Sequence, residues 1–264
     1  MRRNELTNQI KNQWRVTKYN PDFRDENGCY TLTEEWTCPS EIGNIINGKK
    51  FTLEEYLQVE GAYVHTVTKF IEEMGIHSLR ILQLSKWNIS EEDKTSSLYE
   101  NEFEDLVLKE DLMVNRGEIT SICKMVLRNF LECQLYVKDR FFVHFGWDYY
   151  MYIGSAVQCF PAIEFAQDNG LFVETFQSPY FFSEEETTRL IQWNEIGDES
   201  QLVVGDEELT GVSLVEFRRI FNLSAEHPVI GSYEIKQEQA DFFQKYLKHQ
   251  MDFNKYEYGF WGGR

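Results

Sequence analysis

The sequence lacks the short motifs that mark the common nucleotide-binding and catalytic sites. It contains no G-x-x-x-x-G-K-[ST], G-x-G-x-x-G, G-x-S-x-G or H-E-x-x-H segment. None of its five histidines lies within four residues of another. The sequence therefore predicts neither a phosphate-binding loop nor a local zinc site, and we expect no metal ion or other cofactor. A catalytic pair assembled from distant parts of the chain is left open.

Basic residues are also scarce. The 26 Lys and Arg residues stand against 44 Asp and Glu residues, so the formal net charge is −18. The acidic excess is present along the whole chain and grows toward the C-terminus. Such a charge repels phosphate backbones and anionic lipid headgroups. We therefore expect no direct nucleic-acid partner and no membrane partner.

Long apolar runs are absent as well. No segment approaches the roughly 18 uninterrupted apolar residues of a membrane span, and residues 4–11 are polar where a signal peptide has its apolar core. The five cysteines include no C-x-x-C pair. Buried reduced thiols are therefore expected ahead of a zinc site or a redox pair. These features together indicate a cytoplasmic protein.

The first two thirds of the chain carry the periodicities of an α+β domain. Thr52 and Glu55 form a capping box before a helical pattern that ends at Gly75. Strands are predicted over residues 14–19 and 79–84, and short helices over 118–128 and 160–167. Three apolar runs separated by short turns predict an antiparallel meander over residues 130–137, 141–145 and 149–153. We expect residues 1–180 to form a mainly antiparallel sheet with helices packed on it.

The remaining residues, 181–264, have a different pattern. Apolar residues recur at helical spacing over 213–221 and 235–251, and only residues 229–233 look like a strand. We expect a mainly helical C-terminal subdomain packed against the first domain.

The hairpin FFVHFGWDYYMYIG, residues 141–154, is the main candidate for a functional surface. Strand alternation places His144 on one face, and across the turn Tyr150 and Tyr152 share a side. One hypothesis is an acid–base pair formed by His144 and Asp148. A second is a sheet face on which these polar atoms are satisfied internally. The third is a partner-binding surface made by His144, Trp147, Asp148, Tyr150 and Tyr152.

Glu234-Ile235-Lys236 has the E-x-K form found at strand ends in metal-dependent nucleases, with Asp206 as an upstream carboxylate. Such three-residue patterns are frequent in a chain in which 27% of the residues are charged. The global acidity also opposes a nucleic-acid substrate.

Two further features concern partners. Acidic clusters recur along the chain, and together they would steer a basic protein; they are Glu34-Glu35, Glu54-Glu55, Glu72-Glu73, Glu91-Glu92-Asp93, Glu184-Glu185-Glu186 and Asp206-Glu207-Glu208. The C-terminal segment YEYGFW, residues 256–261, places Tyr258 and Trp261 where chains usually fray. These aromatics are expected to pack onto their own domain, or to form a homodimer or partner interface.

The stretches WRVTKYNPDFRDENGCYTLTEEWT (14–37), FTLEEYLQVEGAYV (51–64) and FVHFGWDYYMYIG (142–154) resemble a poorly characterised group of bacterial proteins. Some of these are similar to immunity proteins of contact-dependent or polymorphic toxin systems. The resemblance rests on aromatic and turn patterns, so it implies a cytoplasmic binder of a cognate toxin and assigns no active-site residues.

The first functional hypothesis is therefore a non-enzymatic acidic protein that inhibits a basic partner, such as an immunity protein neutralising a nuclease toxin. A phage-type inhibitor of a host defence enzyme has the same physical features. The alternative from another class is a metal-dependent hydrolase or nuclease-like enzyme that uses Glu234 and Lys236, or an enzyme that uses the cluster around His144.

Overall fold

A computed structural model describes residues 10–32, 35–87, 89–197 and 202–264. The chain forms two compact units, Met1–Ser178 and Pro179–Arg264, which we call the N-terminal and C-terminal units. Most of the polar segment 4–11, and Glu34 of the first acidic pair, lie outside the described residues. Within the described ranges, no helix has both the length and the apolar character that crossing a bilayer requires.

The N-terminal unit is built on an antiparallel sheet. The strands of this unit are β1 (Asn12–Thr17), β2 (Ile45–Ile46), β3 (Lys49–Lys50), β4 (Ser78–Lys86), β5 (Met113–Asn115), β6 (Leu131–Val137), β7 (Phe141–Phe145), β8 (Met151–Ser155) and β9 (Phe172–Thr175). Strands β2 and β3 form a small hairpin, and the other seven form one sheet in the order β5-β4-β6-β7-β8-β1-β9. The predicted meander is the β6-β7-β8 segment of this sheet.

One face of this sheet carries the apolar core. The register aligns five buried side chains in a row across five strands; they are Trp14, Ile153, Val143, Leu135 and Ile81. Because successive side chains of a strand point to opposite faces, the next residues along face the other way. The expectation of an α+β fold with a mainly antiparallel sheet is confirmed.

The helices of this unit are α1 (Leu53–Glu73), α2 (Glu91–Lys94), α3 (Arg116–Leu127) and α4 (Phe160–Asp168). The capping box of Thr52 and Glu55 starts α1 as predicted, and Gly75 follows the helix with a positive φ of 61°. Both α3 and α4 pack on α1. A buried ion pair joins α1 to the residue after α3, because Arg128 Nε and Nη2 lie 2.6 and 2.7 Å from the two carboxylate oxygens of Glu60.

The C-terminal unit is also built on a sheet. It contains β10 (Thr188–Glu195), β11 (Gly205–Glu208), α5 (Leu214–Ile220), β12 (Gly231–Ile235), α6 (Ala240–Phe243) and β13 (Tyr256–Gly263). The four strands are antiparallel in the order β11-β10-β13-β12. The core on one face includes Ile191, Phe217, Phe243 and Phe260.

The expectation of a mostly helical C-terminal portion is not confirmed. The pattern over residues 235–251 gives a 3₁₀ turn, Gln237–Gln239, followed by the one-turn α6, because the Gln244 side chain makes hydrogen bonds that take the backbone out of a helix. Its Nε2 donates to His249 O at 3.0 Å, and its Oε1 accepts from Met251 N at 2.8 Å.

Candidate functional site

The turn between β7 and β8 is strained. Trp147–Tyr149 form a single 3₁₀ turn in which Asp148 has φ 53° and ψ 39°. Tyr149 also has a positive φ, of 62°. Non-glycine residues in this left-handed region cost about 1–2 kcal/mol each, so surrounding contacts must hold the conformation.

Tyr149 provides those contacts. Its side chain is buried, and its hydroxyl donates to Leu127 O at 2.9 Å and lies 3.3 Å from the Tyr56 hydroxyl. Its carbonyl accepts a hydrogen bond from the Tyr63 hydroxyl at 2.7 Å. The Tyr149 ring meets Trp36 edge to face at 4.9 Å. The turn is thus anchored in the core through its third residue.

The other two turn residues point into solvent. Trp147 is 80% exposed, and Asp148 is exposed as well. With Tyr149 anchored in the core, the turn therefore presents the Trp147 ring and the Asp148 carboxylate side by side to solvent. Exposed tryptophans of this kind commonly anchor protein interfaces.

His144 and Tyr152 lie on the opposite side of this hairpin from the core. They are directly paired across β7 and β8, and both are buried. His144 Nδ1 lies 2.8 Å from Ser178 Oγ, and its ring stacks on Phe142 at 3.9 Å. Burial lowers the pKa of His144 to about 3, so the imidazole is neutral near pH 7.

The structure does not bring Asp148 to His144. Among the described residues, no hydrogen bond or ion pair joins the two side chains, since Asp148 lies in the exposed turn and His144 is buried in the sheet. Of the five hairpin residues predicted to form one cluster, His144 and Tyr152 are neighbours, Trp147 and Asp148 share the turn, and Tyr150 has a third environment.

Tyr150 is half-buried beside two arginines. Its ring centroid lies 5.8 Å from Arg15 Cζ and 5.9 Å from Arg24 Cζ, and it stacks on the buried Tyr19 at 5.5 Å. Glu174 on β9 binds both arginines. The sequence alone does not indicate this cluster, because β1 and β9 bring together residues more than a hundred positions apart.

The C-terminal aromatics belong to β13, which is a central strand of its sheet. Tyr258 is buried in the core of the C-terminal unit, where its hydroxyl accepts from Asp252 N at 2.8 Å and lies 2.9 Å from His249 Nε2. Trp261 is half-buried and pairs with Leu190 and Ser232. Tyr258 is therefore occupied within its own unit, and Trp261 keeps part of its surface.

A groove of about 660 Å³ lies in the C-terminal unit. Glu234 and Lys236 line it together with Asn194, Tyr256 and Glu257. Asp206 lies on β11, and β10 and β13 separate it from Glu234 on β12. At about 4.8 Å per strand, the Cα atoms of Asp206 and Glu234 are roughly 14 Å apart, too far for the two side chains to bind one metal ion. No group of three His, Cys, Asp or Glu suited to a metal ion occurs in the described part of the chain.

Comparison with known proteins gives a family match for part of the chain. The chain has no match among curated proteins and none among solved structures. Residues 188–261 match a family described as a domain of unknown function, DUF7683. This match lies within the C-terminal unit and includes every residue named above as lining the groove.

Proposed function

We propose that this chain is a non-enzymatic, cytoplasmic binding protein that inhibits a basic protein partner, as an immunity protein neutralises a nuclease toxin. The observation that carries the proposal is the rigid turn that presents Trp147 beside Asp148. The exposed ring supplies apolar area for an interface, and the carboxylate supplies charge for a basic partner.

The turn suits tight binding because its conformation is set before the partner arrives. Tyr149 is held by hydrogen bonds to Leu127 and Tyr63, so the backbone of the turn has little conformational freedom left to lose on association. Preorganisation of this kind lowers the entropic cost of binding.

The charge around the turn favours a cationic surface. The carboxylates of Glu35, Glu41 and Asp148 all act electrostatically on Lys18, which forms an ion pair with Glu35, so three negative charges accompany one positive charge here. With a net charge of −18 over the whole chain, the field attracts a basic protein and speeds its docking. A protein that covers a cationic substrate groove in this way blocks it without chemistry of its own.

The test first determines whether a neighbouring gene encodes a basic toxin domain, and then measures the association and dissociation rates of that domain with this chain by surface plasmon resonance. We expect the association rate to fall by roughly tenfold or more between low and physiological salt. Trp147→Ala should raise the dissociation rate by roughly thirtyfold, the size of a typical interface anchor. Inhibition of the toxin domain should weaken in parallel.

Trp87→Ala is the matched control, because Trp87 is in the same unit and is 48% exposed. It should leave both rates within about twofold of the wild type. A salt-independent association rate, or wild-type binding by Trp147→Ala, would contradict the proposal. Binding to a host defence enzyme in place of a toxin domain would identify the phage-type inhibitor instead.

A further inference from the structure

Two arginines of the N-terminal unit share one carboxylate. Arg15 Nε and Nη2 lie 3.2 and 3.3 Å from the oxygens of Glu174, and Arg24 Nη1 donates to Glu174 Oε2. Two positive charges thus face one negative charge. Phe176 covers Arg15, with its ring centroid 4.3 Å from Cζ, which keeps the local environment apolar.

Arg24 has an unused hydrogen-bonding edge. Its side chain is only 7% exposed, and neither Nε nor Nη2 has an acceptor among the described residues. These two nitrogens share one edge of the planar guanidinium group, and this edge can bind a carboxylate or phosphate through two parallel hydrogen bonds.

Three other arginines of the chain fill this edge. Arg128 uses Nε and Nη2 to bind Glu60, and Arg15 uses them to bind Glu174. Arg218 directs Nε to His227 O and Nη2 to Glu184. A buried donor without an acceptor costs about 1–3 kcal/mol, so the exception at Arg24 calls for a ligand.

The segment before and after Arg24 fixes its position. Asn20 Oδ1 accepts from Asp22 N at 3.0 Å, and Asp25 Oδ1 accepts from Cys29 N at 2.8 Å. Arg24 also forms a β-bridge with Tyr30. Although burial lowers the pKa of Arg24, Glu174 and the Tyr150 hydroxyl raise it above its ordinary value, so the guanidinium keeps its charge.

We propose that Arg24, supported by Arg15, is the receptor for an oxyanion, a carboxylate or a phosphate, that binds its Nε and Nη2 edge. Both nitrogens are enclosed, so the anion enters when the half-buried Tyr150 ring, which lies beside both guanidinium groups, moves outward. The anion offsets the excess positive charge of the cluster. This site does not depend on the proposed basic partner.

The test is isothermal titration calorimetry of sodium phosphate and of sodium acetate into the full chain, at one ionic strength set with sodium chloride. We expect saturable binding of at least one anion at one site. Arg24→Lys keeps a positive charge but lacks the paired edge, so its affinity should fall by roughly tenfold or more. Arg116→Lys, which replaces an exposed arginine of the same unit, should bind as the wild type does.

The two titrations separate the sources of the anion. Binding of phosphate alone indicates a phosphate or phosphorylated ligand, and binding of acetate alone indicates a carboxylate. Tyr150→Leu should tighten binding, because less side chain must move. Absence of saturable binding in the wild type, or equal binding by Arg24→Lys, would overturn the proposal.

If Arg24→Lys does not fold, the wild type still provides a test. The arginine Nε–H resonances of the ¹⁵N-labelled chain are recorded during the same titrations. A buried Nε–H resonance whose chemical shift changes with anion concentration and then saturates supports the site. A spectrum in which only exposed arginines respond rejects it.

Discussion

Tyr63 should be a stability-determining residue of the N-terminal unit, and Tyr63→Phe tests this. The side chain is fully buried on α1, and its hydroxyl accepts from Lys18 N at 2.7 Å and donates to Tyr149 O at 2.7 Å. Removing this oxygen leaves a backbone N–H and a backbone carbonyl without their partner. At about 1–3 kcal/mol for each buried orphan, the free energy of unfolding should fall by about 3 kcal/mol.

Tyr56→Phe is the matched control. It removes a hydroxyl from the same helix, which donates to Leu127 O at 3.1 Å. Leu127 O keeps a second donor, the Tyr149 hydroxyl at 2.9 Å, so no backbone group is orphaned. The loss should be close to about 1 kcal/mol, the net value of one ordinary hydrogen bond.

The assay is urea denaturation of the full chain followed by far-ultraviolet circular dichroism. With a slope of about 2 kcal/mol per M, the midpoints of the two variants should differ by about 1 M. Both variants carry the same C-terminal unit, so its contribution to the signal is common to them. Equal midpoints for Tyr63→Phe and Tyr56→Phe would refute the argument that the orphaned backbone groups set the cost.

The remaining predictions concern pH and packing. Burial lowers the pKa of His144 from 6.5 to about 3, so its contribution to stability is complete above pH 6.5 and is lost as pH falls from there toward 3. Urea titrations from pH 7.5 to 5 should show that His144→Gln is less sensitive to acid than the wild type, by roughly 1.4 kcal/mol per pH unit at most; parallel curves would contradict this. Gly154→Ala should destabilise by about 2 kcal/mol or more in thermal denaturation, because the new Cβ would lie 2.1 Å from the Phe142 ring. We expect the clash with the Phe142 ring to cause this loss, so adding Phe142→Ala to Gly154→Ala should recover part of the lost stability. No recovery would show that the backbone causes the loss. Gly61→Ala, inside α1 with no atom near the new Cβ, should instead stabilise by about 0.5–1 kcal/mol, and a lower melting temperature would show that the site is not open.

Local signals in the sequence were sufficient for most of the N-terminal unit. The capping box of Thr52 predicts the start of α1, and the short turns of the meander predict three neighbouring antiparallel strands. These features depend on residues a few positions apart, so periodicity and turn chemistry determine them.

The same approach was less informative in the C-terminal unit. Tyr256, Tyr258 and Phe260 alternate with smaller or polar residues, which is the period of a strand, but the segment's position at the end of the chain favoured fraying. The helical spacing over residues 235–251 predicts a long helix, but the structure has only the short α6 within that range. The Gln244 side chain ends α6 by hydrogen bonding to the backbone that follows.

The candidate sites divide in the same way. The exposed pair of Trp147 and Asp148 lies within one turn, so the sequence could single it out, although it does not show the Tyr149 contacts that hold the turn. The cluster of Arg15, Arg24 and Glu174 exists only after β1 and β9 have paired. No pattern within a short window contains that information.

The position of β1 has a consequence for how the protein is made. This strand is synthesised before the other strands of its sheet, yet it lies between β8 and β9, and Asn12 pairs with Ser155, 143 residues later. Its backbone donors and acceptors must wait for most of the N-terminal unit to be synthesised. At about 5–20 residues per second, that wait lasts on the order of ten seconds or more, during which this strand, with its apolar Trp14 and Val16, has no sheet to join. Completion of the N-terminal unit is therefore a late, non-local event.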